Sequence, residues 1–149
     1  MVRGAKTEAV GVCLDADVLV AGLFSRTGAS HAILVLAELG LFPTVVPDAA
    51  VQEVRRHVSQ ELPEALGLFD EFLRAVAVRV YSPSADDLRR ARPLAHPKDV
   101  PILAAAIGAG ATILVTHNVR HFRSGEGVRV VRPRTLMAEA RAWMSSLGR

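Results

Sequence analysis

The chain has 149 residues, 50% of them apolar, 22% charged and 5% aromatic. That length and balance suit one globular unit with a core of its own and exclude general intrinsic disorder. A single cysteine, Cys13, excludes an internal disulfide framework and favours a reducing compartment; set in an apolar run, it is expected to be a small buried thiol. Nowhere does the sequence offer the roughly 20 uninterrupted apolar residues of a membrane span, and Met1–Ala9 mixes charges without an apolar leader core. A soluble, cytoplasmic protein is therefore expected. The formal net charge is +3, unevenly placed: residues 1–118 carry 11 Lys+Arg against 13 Asp+Glu, whereas 119–149 carry seven Arg against Glu126 and Glu139. An acidic body with a basic C-terminal segment suits a polyanion held beside an acidic site, or simply a solvated arginine-rich helix face.

In chain order, Val10–Leu14 reads as a buried strand, followed after Asp15-Ala-Asp17 by a helical pattern over Ala29–Leu39. Thr44–Val46 repeats the strand pattern, with helical patterns over Ala49–Val58 and Pro63–Val76. Val78–Val80 is the next strand, leading to Ala85–Ala91 and Pro97–Ala109; Thr112–Val115 precedes a short turn, and Val128–Val131 precedes a basic helix over Arg134–Ser146. Runs of three to five residues rich in Val and Ile suggest strands buried on both faces. Their alternation with helices predicts a three-layer α/β/α fold around a mostly parallel sheet of about five strands, one domain over 1–149 with its core at about 10–132 and the C-terminal helix at about 133–146. Pro47-Asp48 and Ser84 mark helix starts, Pro97 suits a first helical position, and Gly108 and Gly110 suit a helix end. Arg89–Pro97 is expected to be a mobile loop, and Met137, Trp143 and Met144 to be packing residues.

Parallel α/β sheets place their sites beyond the carboxyl ends of the strands, and here those ends carry Asp15-Ala-Asp17, Pro47-Asp48 and Thr116-His117-Asn118. An acid directly after a buried strand is costly to desolvate unless it holds a cation or several donors, so Asp15 is a candidate metal ligand. Both Asp15 and Asp17 could instead cap the following turn, the more natural reading for Asp17. Asp99 gains from a helix dipole after Pro97, yet its spacing from Ile102, Leu103 and Ala106 puts it at the rim of a buried face, where a site role becomes plausible. By pattern alone, Glu53 flanks the Val51/Val54/Val58 stripe as a surface residue. Three acids and an Asn on one edge would suit Mg²⁺ or Mn²⁺. His117 and His121 could share one helical face, but zinc would need further ligands such as cysteines. Gly108-Ala-Gly110 follows a helix pattern, so it is not a phosphate-binding loop.

Four segments in order, Leu14-Asp-Ala-Asp-Val-Leu-Val20, Pro47-Asp-Ala-Ala-Val-Gln-Glu53-Val, His96-Pro-Lys-Asp99-Val-Pro-Ile-Leu-Ala-Ala-Ala106 and Ile113-Leu-Val-Thr-His-Asn118-Val-Arg-His-Phe122, resemble the signatures of the PIN-domain family. The likeness spans about residues 10–132 and is strongest to the VapC-type ribonucleases of toxin–antitoxin systems. It implies a Mg²⁺- or Mn²⁺-dependent ribonuclease with Asp15, Glu53 and Asp99 as acidic ligands and Asn118 as a fourth catalytic position. Asp17 and Thr116 would play secondary roles, and Arg120 and Arg123 would meet the RNA backbone. A small antitoxin and a homodimer are the implied partners. Where many PIN domains carry Asp, Asn118 brings an amide oxygen without charge, so weaker metal binding is expected. Two other readings stay open. One is a haloacid-dehalogenase-like phosphatase with Asp15 as nucleophile and Asp17 as acid/base, disfavoured because no Asp follows Thr116. The other is a PIN-like module that binds RNA or protein with an impaired metal site.

Overall fold

The computed structural model describes residues 11–76 and 79–148; Met1–Ala9, Val10 and Val78 lie outside the described residues. Five short strands form one sheet: β1 (Val12–Leu14), β2 (Thr44–Pro47), β3 (Arg79–Tyr81), β4 (Ile113–Val115) and β5 (Arg129–Val131). Their order is β3-β2-β1-β4-β5 and every pairing is parallel. Helices α1 (Ala16–Phe24), α2 (Ala29–Glu38), α3 (Asp48–Glu61), α4 (Leu66–Ala75), α5 (Ala85–Ala91), α6 (Val100–Ala109) and α7 (Pro133–Leu147) cover the sheet, giving the three-layer α/β/α arrangement. The chain steps outward from β1 through β2 to β3, then returns to the other side of β1 for β4. That reversal makes the crevice between the carboxyl ends of β1 and β4 the topological switch point, where α/β sheets bind ligands.

Burial follows position in the sheet. The three central strands are buried along their whole length, whereas the edge strand β3 is mostly exposed and the edge strand β5 is buried only at Val131. Burial on both faces thus holds for three of the five strands. Cys13, at the centre of β1, has no exposed surface, and burial beside Asp15 pushes its thiol far above the usual range. Helix α6 is apolar all round, with Val100, Ile102, Leu103, Ala104, Ala105, Ala106 and Ile107 buried, as expected of a helix enclosed by other elements. It ends at Gly110, whose φ of 76° permits the left-handed turn that returns its N–H to the carbonyls of Ala106 and Ile107. Gly108 is not a cap: it lies inside α6, where a Cβ would run into Asp87 and the Tyr81 hydroxyl.

Three local expectations change. Helix α1 has no counterpart in the helical patterns read from the sequence, because Ala16–Phe24 has almost no polar residue to define a face and contains Val18, Val20 and Gly22. Tertiary packing supplies what propensity lacks: Ala16, Val18, Leu19 and Gly22 are buried. Arg89–Pro97 is not an irregular loop, since it ends α5 and continues through 3₁₀ turns at Arg92–Leu94 and Pro97–Asp99, with Ala95 bridging Phe122. Of the three residues expected to pack in α7, only Met137 is buried; Trp143 and Met144 are 55% and 42% exposed. Ser84 does start a helix, through a capping box with Asp87.

Candidate functional site

The site begins with the backbone of β1. The Asp15 N–H donates to the Val115 carbonyl at 3.1 Å, carrying the pairing with β4 one residue past the end of β1. Asp15 then turns the chain into α1: its Oδ1 accepts from the Ala16 N–H at 2.7 Å, and its Oδ2 accepts from the Thr116 hydroxyl at 2.9 Å. Asp15 is only 7% exposed. Burial, together with the charges of Asp17 and Asp99, pushes its carboxyl up to about 7, although the bonds from Thr116 and Ala16 pull the other way.

Asp17, in the first turn of α1, does not cap that helix. Its Oδ2 faces across the crevice to β4, accepting from the His117 N–H at 3.0 Å and the Asn118 side-chain amide at 3.3 Å, with the Thr116 hydroxyl also 3.3 Å away. Because the Thr116 hydroxyl has one proton and lies nearer Asp15, it serves Asp15 first. Asp17 Oδ1 is buried and has no hydrogen-bond partner among the described residues, an arrangement that ordinarily costs a few kcal/mol unless something else occupies that oxygen. Asn118 acts as a donor to Asp17, and its backbone N–H donates to Thr116 Oγ1 at 3.1 Å.

Asp99 closes the 3₁₀ turn that leads into α6, and its side chain is 14% exposed. Its Oδ2 lies 2.8 Å from His121 Nδ1, whose ring packs against His96 with centroids 5.4 Å apart. Glu53, on the exposed flank of α3, lines a cleft of about 430 Å³ with Asp17, Val20 and His57. Asp48 stays outside this group: its carboxylate accepts from the Ala49 N–H and the Ser82 hydroxyl. The two histidines do not share a helical face. His121 addresses Asp99, whereas His117 contacts Ser30 at 3.3 Å and stands 3.7 Å from Asp17. Arg120 and Arg123 line a separate pocket with His96 and His121. Neither histidine's link to an acid was visible in the sequence; their spacing suggested a shared face, while the acids they meet come from distant elements.

Chemically, the crevice gathers Asp15, Asp17 and Asp99 without a neutralising lysine or arginine among their described hydrogen-bond partners. Hard carboxylate and amide oxygens, one carboxyl pushed up to about 7 by burial and by neighbouring acids, and one buried oxygen without a donor among the described residues fit a hard divalent cation. Among the described residues, no three Asp, Glu, His or Cys side chains are grouped closely enough to hold one ion by themselves. The Asn118 oxygen and solvent would have to complete any coordination shell.

A family model described as "PIN domain" matches residues 11–120. The chain belongs to the PIN-domain family. This also decides against the phosphatase alternative. Solved structures similar to this PIN domain include VapBC2 from Rickettsia felis bound to a DNA fragment from their promoter, with a TM-score of 0.64 at 18% identity over 83% of this chain and 98% of that one. DNA-bound VapBC from Salmonella typhimurium gives 0.66 at 17% identity, again over 83% and 98%. PAE2754 from Pyrobaculum aerophilum gives 0.58 at 20% identity over 93% and 99%. These likenesses concern the fold. Comparison with curated protein sequences finds no match.

Proposed function

We propose that this PIN domain is a metal-dependent ribonuclease that hydrolyses RNA phosphodiester bonds, acting as the toxin of a toxin–antitoxin pair. The observation that carries the reading is the uncompensated negative charge at the switch point: Asp15 pushed up to about 7 beside Asp17 and Asp99, and Asp17 Oδ1 buried without a partner among the described residues. A polypeptide gains nothing in stability from such a cluster, and functional sites are where charge of this kind is kept. Asp15, Asp99 and Glu53, assisted by Asp17 and Asn118, would hold Mg²⁺ or Mn²⁺. The ion would activate water and stabilise the leaving oxygen. Thr116 keeps Asp15 and Asp17 in register, His121 holds Asp99 at the rim, and Arg120 and Arg123 meet the RNA backbone.

The likeness to two VapBC structures supports a small protein antitoxin as partner, and a cytoplasmic homodimer completes the proposal. Among the described residues, no single helix is long and apolar enough to cross a membrane. The test is cleavage of a panel of single-stranded and structured RNAs in Mn²⁺, Mg²⁺ or EDTA, comparing wild type with Asp99→Asn. Metal-dependent cleavage that disappears in Asp99→Asn supports the enzyme. RNA binding without cleavage, in wild type and in Asn118→Asp alike, favours a binding module with an impaired metal site, a reading motivated by Asn118 and by the open ligand set.

A further inference from the structure

Beyond the acidic crevice, the structure holds a second polar cleft, of about 570 Å³, whose lining includes Ser25, Thr27, Ser30, His117, Arg132 and Arg134 and no acidic residue. Its size lies within the range of small-ligand sites. Arg132 and Arg134 are exposed and, like most described arginines, have no carboxylate partner among the described residues. Their position in the chain is unfavourable for the fold. Arg132 is the N-cap residue of α7 and Arg134 lies in its first turn, which contains no acid. Cations therefore sit at the positive end of a helix dipole, where a carboxylate would be preferred. The start of α2, at Gly28–Ser30, opens into the same cleft, again with no acidic residue and no side-chain cap. The helix dipole favours neither arginine; an anion bound between them would offset that cost.

His117 ties this cleft to the acidic crevice. Its backbone N–H donates to Asp17, while its ring lines the cleft beside Ser30, a hydroxyl that is only 7% exposed. The pocket of Arg120 and Arg123 adjoins Asp99 through His121. Each basic pocket is thus joined to one of the acids through a histidine.

Resting on the ribonuclease reading, we propose that the Arg132/Arg134 cleft is a phosphate subsite that seats a backbone phosphate of the bound RNA strand, next to the one that is cleaved. The arginines would grip the phosphate oxygens, with His117 and the open helix starts completing the anion cradle.

The test is fluorescence anisotropy of a labelled single-stranded RNA of about a dozen nucleotides, titrated in EDTA across a range of NaCl concentrations. Arg132→Ala/Arg134→Ala should weaken binding by about tenfold or more. It should also lower the slope of log affinity against log salt by about 0.7, the value for one phosphate neutralised on a single strand. Arg132→Lys/Arg134→Lys should keep the slope, and Arg141→Ala, which removes a charge elsewhere on α7, should leave both quantities near wild type. The double alanine variant should melt at the same or a higher temperature, because it relieves the helix dipole. A lower melting temperature would show that the arginines serve the fold and would overturn the proposal, as would an equal loss in Arg141→Ala. If wild type binds and cleaves RNA while the double alanine variant keeps its affinity and slope, the subsite fails and the ribonuclease reading stands. If wild type binds no RNA, both fall together.

Discussion

Replacing Asp15 by Asn should make the metal-free protein more stable at alkaline pH, an unusual result for a residue at the heart of a site. Asp15 titrates at about 7 in the folded chain against an ordinary value of 3.8. Between those values the folded state binds more protons than the unfolded one, so stability falls as pH rises through that window and levels off above about 7. At about 1.4 kcal/mol per pH unit, ionised Asp15 costs the folded state on the order of 4 kcal/mol at pH 8 and nothing near pH 3. Asn has the same shape without the charge. It can keep one acceptor for Thr116 or Ala16 but must point its amide at the other donor, a mismatch of about 1–2 kcal/mol. The net gain is therefore about 2–3 kcal/mol at pH 8, shrinking and reversing below about pH 5. Urea denaturation in EDTA at several pH values from 4.5 to 8.5 measures it. Adding Mn²⁺ should stabilise wild type, by about 3 kcal/mol at a hundredfold excess over the dissociation constant, and should leave Asp15→Asn unmoved. A difference between the two proteins that does not vary with pH, or wild type being the more stable at pH 8, would refute the reasoning.

Asn118→Asp removes a donor to Asp17 and sets a like charge beside it, so the metal-free protein should lose about 1–2 kcal/mol while its thermal stabilisation by Mn²⁺ grows, both read from melts with and without the ion. Thr116→Val keeps the shape of a fully buried side chain but deletes the hydroxyl that supports Asp15; expected are a loss of about 1–3 kcal/mol and a shift of the pH-dependent window to higher pH. Gly22→Ala would bring a Cβ to 2.5 Å from Leu34 Cδ1 and 3.0 Å from the Ser30 carbonyl oxygen, so α1 and α2 must separate at a cost of about 1–3 kcal/mol, offset in part by helix propensity. The control is Gly67→Ala in α4, where a Cβ meets nothing within 4 Å: its melting temperature should hold or rise.

Much of the architecture could be read locally. Short Val/Ile runs separated by helical patterns specify buried parallel strands, because only strands covered on both faces can be apolar throughout. The same alternation brought Asp15, Pro47-Asp48 and Thr116-His117-Asn118 to the sheet's carboxyl edge. Helix α1 escaped detection for the converse reason: a helix enclosed on nearly every side has no polar face, and periodicity has nothing to register. Edge exposure of β3 and β5 was equally hidden, since strand order is set by which strands pair and not by any one strand's composition.

At the site, the sequence by itself determined the chemical types present: acids after strands and at a helix start, an amide where an acid might stand, and arginines gathered toward the C-terminus. Only the tertiary structure decided how they act on one another. Asp17 reads locally as a helix cap, yet it bonds across the crevice to residues about a hundred positions away, and the ionisation of Asp15 depends on burial and on charges from α1 and the start of α6. His117 and His121, four apart in sequence, serve different acids, and Arg132 and Arg134 face the same cleft as the start of α2. The reason is physical: local sequence fixes the backbone's preferred geometry and a side chain's chemistry, whereas electrostatic energy depends on distance and burial in three dimensions, which the chain acquires only when its sheet is assembled.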